Sequence, residues 1–224
     1  STVNEKNEFS EYGTYYTNDK TGNYTWSNMD TEEKNFAVFI RDRWDNFSDT
    51  LFAKLTPLFE MEIDKKKFRG IILPGDAPIF PNTANVAMEF LWDGLFSSDF
   101  NNPYIPIGYK NMLTKAYDSS QPTWVTFDLG VKAQLSRVRF NHYYRYTDRA
   151  ARRYEVWGCA DTPAADGSWD NWVKLGEHEQ IKPSGLPGTT YGAGDAEAWL
   201  NGDNIRFSKD LPRIRYIRIK CFEN

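Results

Sequence analysis

TWVTFDLGVKAQLSRVRFNHYYRYTDRAARRYEVWGC, running from Thr123 to Cys159, is the stretch that decides the fold. It opens with strict alternation. Val125, Phe127 and Leu129 fall on one side, Trp124, Thr126 and Asp128 on the other, and Gly130 closes the run, as a half-buried strand requires. A short polar turn leads to a second strand, in which Val138 and Phe140 face one way and Arg137 and Arg139 the other. Next comes His142-Tyr143-Tyr144-Arg145-Tyr146-Thr147-Asp148-Arg149, too polar for a core. A third strand, Tyr154 to Cys159, completes the unit. Framework strands thus hold out one loop rich in Tyr and Arg, which is read as the working part.

Working outward, the 224 residues allow one large domain or two small ones. Aromatic residues make up 16% of the chain, enough to fill a β-sandwich core or to display rings for stacking on a ligand; composition leaves both open. With a net charge of −4 and no dominant basic face, nucleic acid is not an expected partner. No apolar run approaches the ~18 residues of a membrane span, so no transmembrane segment is expected. No signal peptide opens the chain, and Ser1 is read as the start of a processed or trimmed product. Cys159 and Cys221 each end a strand-like run. They are either bridged, if those ends meet, or two small buried hydrophobes.

Before residue 66, strands are expected at Tyr24–Trp26, Phe36–Arg41 and Thr50–Leu55, with a turn at Asp45-Asn46, after a polar and irregular first twenty residues. Three strands resemble part of an immunoglobulin- or fibronectin-like sandwich, which usually needs about seven in about 100 residues. Met61 to Phe68 reads as a linker strand, and a boundary is placed near residues 60–72, giving units 1–66 and 67–224. Pro74-Gly75-Asp76-Ala77-Pro78 is a turn cluster. Asn85 to Leu91 fits a short helix or a strand. Further on, Trp172-Val173-Lys174-Leu175 and Ile214 to Cys221 are strands, residues 182–195 a Gly/Pro-rich loop, and Trp199 to Asp203 a hairpin turn. In the last strand Ile217, Ile219 and Cys221 are expected inward, Tyr216, Arg218 and Lys220 outward. Many short strands with long loops and almost no helix predict an all-β antiparallel sandwich or jelly roll.

The order Trp92-Asp93-Gly94, Trp124-Val125-Thr126-Phe127-Asp128-Leu129-Gly130, Val138-Arg139-Phe140, Tyr154-Glu155-Val156-Trp157-Gly158, Asp166-Gly167 and Arg215-Tyr216-Ile217-Arg218-Ile219 resembles the discoidin-like domain. That is the coagulation factor five/eight type C fold, shared with family thirty-two carbohydrate-binding modules. The likeness covers about residues 75–224. The variant with RDRWDNFSDTL ahead and DGSWDNW and KPSGLPG behind is similar to surface lipoproteins of unknown function from gut Bacteroidetes, found beside starch-utilisation-like systems. The resemblance implies a galactose-binding-like, eight-stranded jelly roll behind a partial fibronectin-like domain. It also implies glycan binding through loops at one rim, no catalysis, and a cell-surface location with a lipid anchor on a segment outside this sequence.

A sugar offers an apolar C–H face to a flat ring and hydroxyls to fixed donors and acceptors, and a planar guanidinium suits the second task. On the family pattern, Tyr144, Arg145, Tyr146 and Arg149 stand where the loop contributes such groups, with Tyr109 and Trp169 from neighbouring loops. The competing reading makes them ordinary loop residues whose ion pairs are worth little. An insertion around Tyr104–Lys115 replaces the family's aromatic and His, so sugar preference is not carried over. Many members hold a structural Ca²⁺, an ion that takes several oxygen ligands. Asp93, Ser97, Ser98, Asp99 and Glu223 are the candidates, although Leu95 removes one oxygen and Asp93-Gly94 also reads as a plain turn. His142 could bond a ligand or serve the structure. Trp124, Trp157 and Trp172 are read as packing, Trp169 as facing solvent.

No G-x-S-x-G, H-E-x-x-H, phosphate loop or Cys-x-x-Cys appears. The expected function is therefore a non-catalytic carbohydrate-binding module of a surface glycan-utilisation protein. The alternative is a scaffold domain that docks other proteins of an outer-membrane uptake complex through the same rim.

Overall fold

The computed structural model describes residues 1–4, 6, 8–22, 24–26, 29–77, 87–94, 122–141, 151–187, 190–192 and 194–223. Contacts divide the chain into two units, Ser1–Glu62 and Ile63–Asn224.

In the first unit β1 (Thr2–Val3), β2 (Phe9–Ser10), β3 (Lys34–Val38) and β4 (Leu51–Leu55) form an antiparallel sheet in the order β2-β1-β3-β4. β1 and β2 lie within the first twenty residues, read from sequence as irregular. Tyr24–Trp26 is no strand; its rings stack on neighbouring rings instead. The hairpin turn between β3 and β4 is closed by one carboxylate. Asp42 accepts from the Trp44 and Asn46 amides at 2.8 and 2.9 Å and from the Asn46 side chain at 2.8 Å, and Asp45 takes φ +63°.

The second unit opens on a turn rather than a strand. The expected linker strand is a 3-10 turn over Lys65–Lys67, because Asp64 accepts the Lys66 amide and bends the chain before β5 (Arg69–Ile71). A second such turn covers Met88–Leu91. Then follow β6 (Thr123–Ala133), β7 (Arg137–Phe140), β8 (Arg153–Cys159), β9 (Trp172–Glu179), α1 (Asp195–Asn201), β10 (Asp203–Arg206) and β11 (Ile214–Glu223). Their antiparallel pairs build a five-stranded sheet, β5-β6-β11-β8-β9, and a two-stranded one, β10-β7. The described chain is thus all-β with one short helix.

That helix lies where Trp199 to Asp203 suggested a hairpin turn. Asp-Ala-Glu-Ala-Trp-Leu-Asn is a helix-compatible run, and Gly202 (φ +68°) ends it, so only the last residues turn. The core alternation holds: Val125, Phe127 and Leu129 pack with Tyr154, Val156, Ile217, Ile219 and Cys221, and Val138, Phe140 and Ile205 of the small sheet close over them. Each such aliphatic side chain contributes roughly 1.5–3 kcal/mol by leaving water. Cys159 and Cys221 are both buried free thiols, and they occupy separate clusters on the two sides of the sheet.

The opposite face departs from expectation. Tyr216 and Arg218 do not point to solvent: Tyr216 is buried and Arg218 fully so. Alternation correctly assigns these side chains to the second face. It does not reveal that residues 72–77 and 161–171 fold over that face.

The Asp-Leu-Gly and Arg-Tyr-Ile-Arg-Ile runs also find a use. Asp128 accepts both arms of the Arg215 guanidinium at 2.9 Å and the Gly130 amide at 2.7 Å, tying β6 to β11. The Arg215 fork, the largest contributor, holds the Asp128 carboxyl below the usual carboxylate range.

Candidate functional site

The Tyr/Arg loop leaves β7 after Phe140 and Asn141 and returns at Ala151 into β8; the segment carrying Tyr109 enters β6 at Thr123. Cys221 pairs with Thr123 on one flank and Tyr154 on the other, so both segments are rooted at the same end of the five-stranded sheet, beside the end of β11. Tyr109, Tyr144, Arg145, Tyr146, Arg149 and His142 themselves lie outside the described residues.

The residues around the stem of the Tyr/Arg loop are described, and sequence reading overlooked them. The Asn141 side chain donates to the Trp199 and Leu200 carbonyls at 2.8 and 3.0 Å, which sets the end of α1 against the loop's stem. Beside it, Tyr154 donates to Asp203 at 3.4 Å, and His178 Nε2 lies 3.3 Å from the same carboxylate. Burial, and next the Asp203 charge, push the Tyr154 hydroxyl far up, so it stays protonated as a donor. Phe140 packs edge-on against Tyr154 at 5.4 Å. This cluster therefore joins apolar rings to a carboxylate and an imidazole. The Tyr154–His178 pairing across β8 and β9 is a strand-register fact, invisible until the strands are aligned.

α1 is held in turn by the Gly/Pro-rich loop. Asp195 is buried and accepts the Ser184 amide at 2.9 Å, the Ser184 hydroxyl at 2.6 Å and the Gly192 amide at 2.8 Å. Desolvation pushes this carboxyl up, but the Ser184 and Gly192 bonds outweigh it and the net direction is down. Asp195→Ala leaves these donors without their acceptor and is expected to cost about 1–3 kcal/mol, read by urea unfolding. A lowered folded pKa also fixes the sign with pH. The stability from Asp195 is complete above the ordinary carboxylate pKa and is lost as pH falls through the depressed value. The gap between wild type and variant should therefore close in acid; a constant gap would show that the carboxylate is not what holds the loop.

Trp169, the one described candidate for sugar contact, was expected to face solvent. It is half-buried. It stands 5.2 Å from Trp124, 5.3 Å from Trp157 and 6.0 Å from Trp172, with the Arg218 guanidinium 4.7 Å and the Lys220 ammonium 4.9 Å from its ring centre. Two cations under one indole draw it down onto the sheet. Trp124 is the second residue of β6 and pairs with Lys220 near the end of β11, so Trp169 sits toward the end at which the loops are rooted.

Of the expected calcium ligands, Ser97, Ser98 and Asp99 lie outside the described residues, and nothing is described of the Glu223 side chain. Asp93 is exposed before Gly94, whose φ is +79°, as in a turn. Among the described residues no three His, Cys, Asp or Glu side chains gather as a metal would require. Among the same residues no helix is long and apolar enough to cross a membrane.

The chain is thus a two-unit β protein whose second unit roots two loop segments at one end of a five-stranded sheet. Residues 100–224 match a family model described as a domain of unknown function, DUF5000, and residues 1–66 match a second, DUF5126. A solved structure, SusE-like protein BT2857, is 34% identical with a TM-score of 0.58; the match covers 85% of this chain and 70% of that one. The chain belongs to this family of SusE-like proteins, with DUF5000 as its carboxy-terminal domain. No curated protein matches it.

Proposed function

We propose that this chain is a non-catalytic glycan-binding part of a bacterial cell-surface glycan-utilisation lipoprotein, with a discoidin-like second unit whose rim loops hold the sugar. The observation that carries the reading is that the strands rooting the two loop segments end together at one end of the sheet, the end where Tyr154, His178 and Asp203 meet. The tyrosine rings of the loop would lie under a sugar's C–H face, while Asp203 and the loop guanidiniums would address its hydroxyls. The 34% likeness to a SusE-like protein supports the outer-membrane setting and a glycan-uptake complex as partner. A structural calcium near Asp93 belongs to the same proposal. If it is present, a chelator lowers the melting temperature; an unchanged melting curve removes it.

The test is affinity electrophoresis of the whole chain through gels holding neutral α-glucan, β-glucan, mannan, galactan or an acidic pectic polysaccharide. At least one polymer should retard the wild type, and Tyr144→Ala/Arg145→Ala should weaken that retardation about tenfold or more, a loss of about 1.4 kcal/mol. Equal retardation of both proteins overturns the loop assignment. No retardation by any polymer overturns glycan binding and leaves the scaffold reading. That second reading has its own observation, a hollow lined by Phe9, Phe39, Phe47 and Thr50 on the first unit, with Phe47 and Phe52 exposed.

A further inference from the structure

Four aromatic rings of the first unit form one connected surface group. Tyr15 and Tyr24 have centroids 4.7 Å apart, Tyr24 and Trp26 4.8 Å, and Tyr12 meets Trp26 edge-on at 6.4 Å. Gly13 brings the backbone of the Tyr12–Tyr15 segment down onto the indole, for a Cβ there would stand 2.6 Å from Trp26 Nε1. The group is assembled, therefore, rather than four rings that happen to be near. A packing role would bury the rings, yet Tyr15 is 58% exposed, Tyr24 50% and Tyr12 39%. Only Trp26 is half-buried, as the anchor of the group. None of the four belongs to a strand, so the sheet does not need them for its ladder.

From this arrangement we infer that Tyr12, Tyr15, Tyr24 and Trp26 form a second carbohydrate platform, on a unit other than the one carrying the rim loops. The inference rests on the glycan-binding reading above and extends it to a separate site. Two observations favour a sugar over a protein surface. The group holds no aliphatic side chain, and three of its four rings carry a hydroxyl at the edge, which suits a ligand with an apolar face and a polar rim. Polar side chains also flank it in sequence, with the hydroxyl of Thr14, between Tyr12 and Tyr15, donating to Glu11. The hollow of the same unit lined by Phe9, Phe39, Phe47 and Thr50 has rings of phenylalanine alone, without hydroxyls at their edges. Two platforms on one chain would bind a polymer with an avidity that neither shows for a short oligosaccharide.

The experiment uses the whole chain, the same polysaccharide gels, and four proteins: wild type, Tyr15→Ala/Tyr24→Ala, Tyr144→Ala/Arg145→Ala, and all four substitutions together. We expect each pair to weaken retardation about tenfold or more, and the combination to abolish it. Loss in the Tyr15/Tyr24 pair alone upholds the platform and overturns the rim site. Loss in the Tyr144/Arg145 pair alone, with the other pair unchanged, overturns the platform and leaves the rim site standing. A wild type that no polymer retards overturns both. Should the Tyr15/Tyr24 pair melt well below wild type, the single Tyr15→Ala variant replaces it. In parallel, the indole N–H resonance of Trp26, assigned by Trp26→Phe, should shift on adding the retarding polymer's oligosaccharide; an unmoved resonance sinks the platform.

Discussion

Arg218→Met should be among the most damaging single changes in the second unit, costing about 3–5 kcal/mol, the range for breaking a buried ion pair from one side. The guanidinium is fully buried and every arm is used. Nε donates to Thr126 at 3.0 Å, and the two terminal nitrogens donate to the Ser168 and Gly167 carbonyls at 3.0 and 3.1 Å. Asp76, also buried, lies 4.0 Å away and accepts from Thr126 at 3.0 Å and from the Leu73 amide at 3.0 Å. One side chain of β11 thus fastens residues 72–77 and 161–171 onto the sheet. Methionine fills similar volume but leaves the carbonyls and a buried carboxylate without their partner.

The loss should depend on pH, with a definite sign. Burial, the largest influence, already raises the Asp76 carboxyl above its usual range, against the pull of Leu73, Thr126 and Arg218. Removing Arg218 raises it further. A carboxyl whose folded pKa exceeds its unfolded one destabilises the fold when ionised, and that penalty fades as pH falls through the folded value. The deficit of Arg218→Met relative to wild type, from urea unfolding, should therefore shrink in acid, and Asp76→Asn/Arg218→Met should lose less at neutral pH than Arg218→Met alone. A deficit that is flat with pH, or a double variant no better than the single, would show that Asp76 is not the stranded charge.

Arg218 also marks where sequence reading stops. Its place on the second face of β11 follows from alternation with Ile217 and Ile219, but period two says nothing about what covers a face. Solvent is the default assumption for an arginine, and here it fails because the covering elements are non-repeating loops joined by carbonyls rather than side chains. Trp169 fails for the same reason: in a turn beside Ser168 and Asp170 it reads as exposed, whereas Lys220 and Arg218 beneath it come from a strand about fifty residues later. The core of β6, β8 and β11 was legible because burial on both neighbours' flanks imposes alternation directly. The Tyr154–Asp203–His178 cluster was not, since its members carry no local pattern and meet only through pairing of β8 with β9 and of β7 with β10. The helix Asp195–Asn201 was hidden in a stretch whose glycines outweighed its alanines.

Gly167→Ala tests the same clasp from the loop side and should cost about 2–4 kcal/mol. Gly167 has φ +76°, a region that charges an L-residue about 1–2 kcal/mol. Space is the second problem: an added Cβ would stand 2.0 Å from the Pro74 carbonyl oxygen and 3.0 Å from its carbon, both backbone atoms. Either the 72–77 loop retreats, which pulls Asp76 off Thr126, or the 161–171 loop lifts, which takes the Gly167 and Ser168 carbonyls from Arg218. Gly185→Ala provides the control, having φ +65° and nothing within 4 Å of its Cβ, so it carries the strain without the collision. In a unit of this size each kcal/mol moves the melting temperature by about 2–4 °C. Gly167→Ala should thus melt several degrees below Gly185→Ala, and its near-ultraviolet circular dichroism should change as Trp169 leaves Trp124 and Trp157. Equal melting of the two variants, with that aromatic signal intact, would mean that the loops are not clamped together at Pro74 and that Trp169 is not held to the sheet through them.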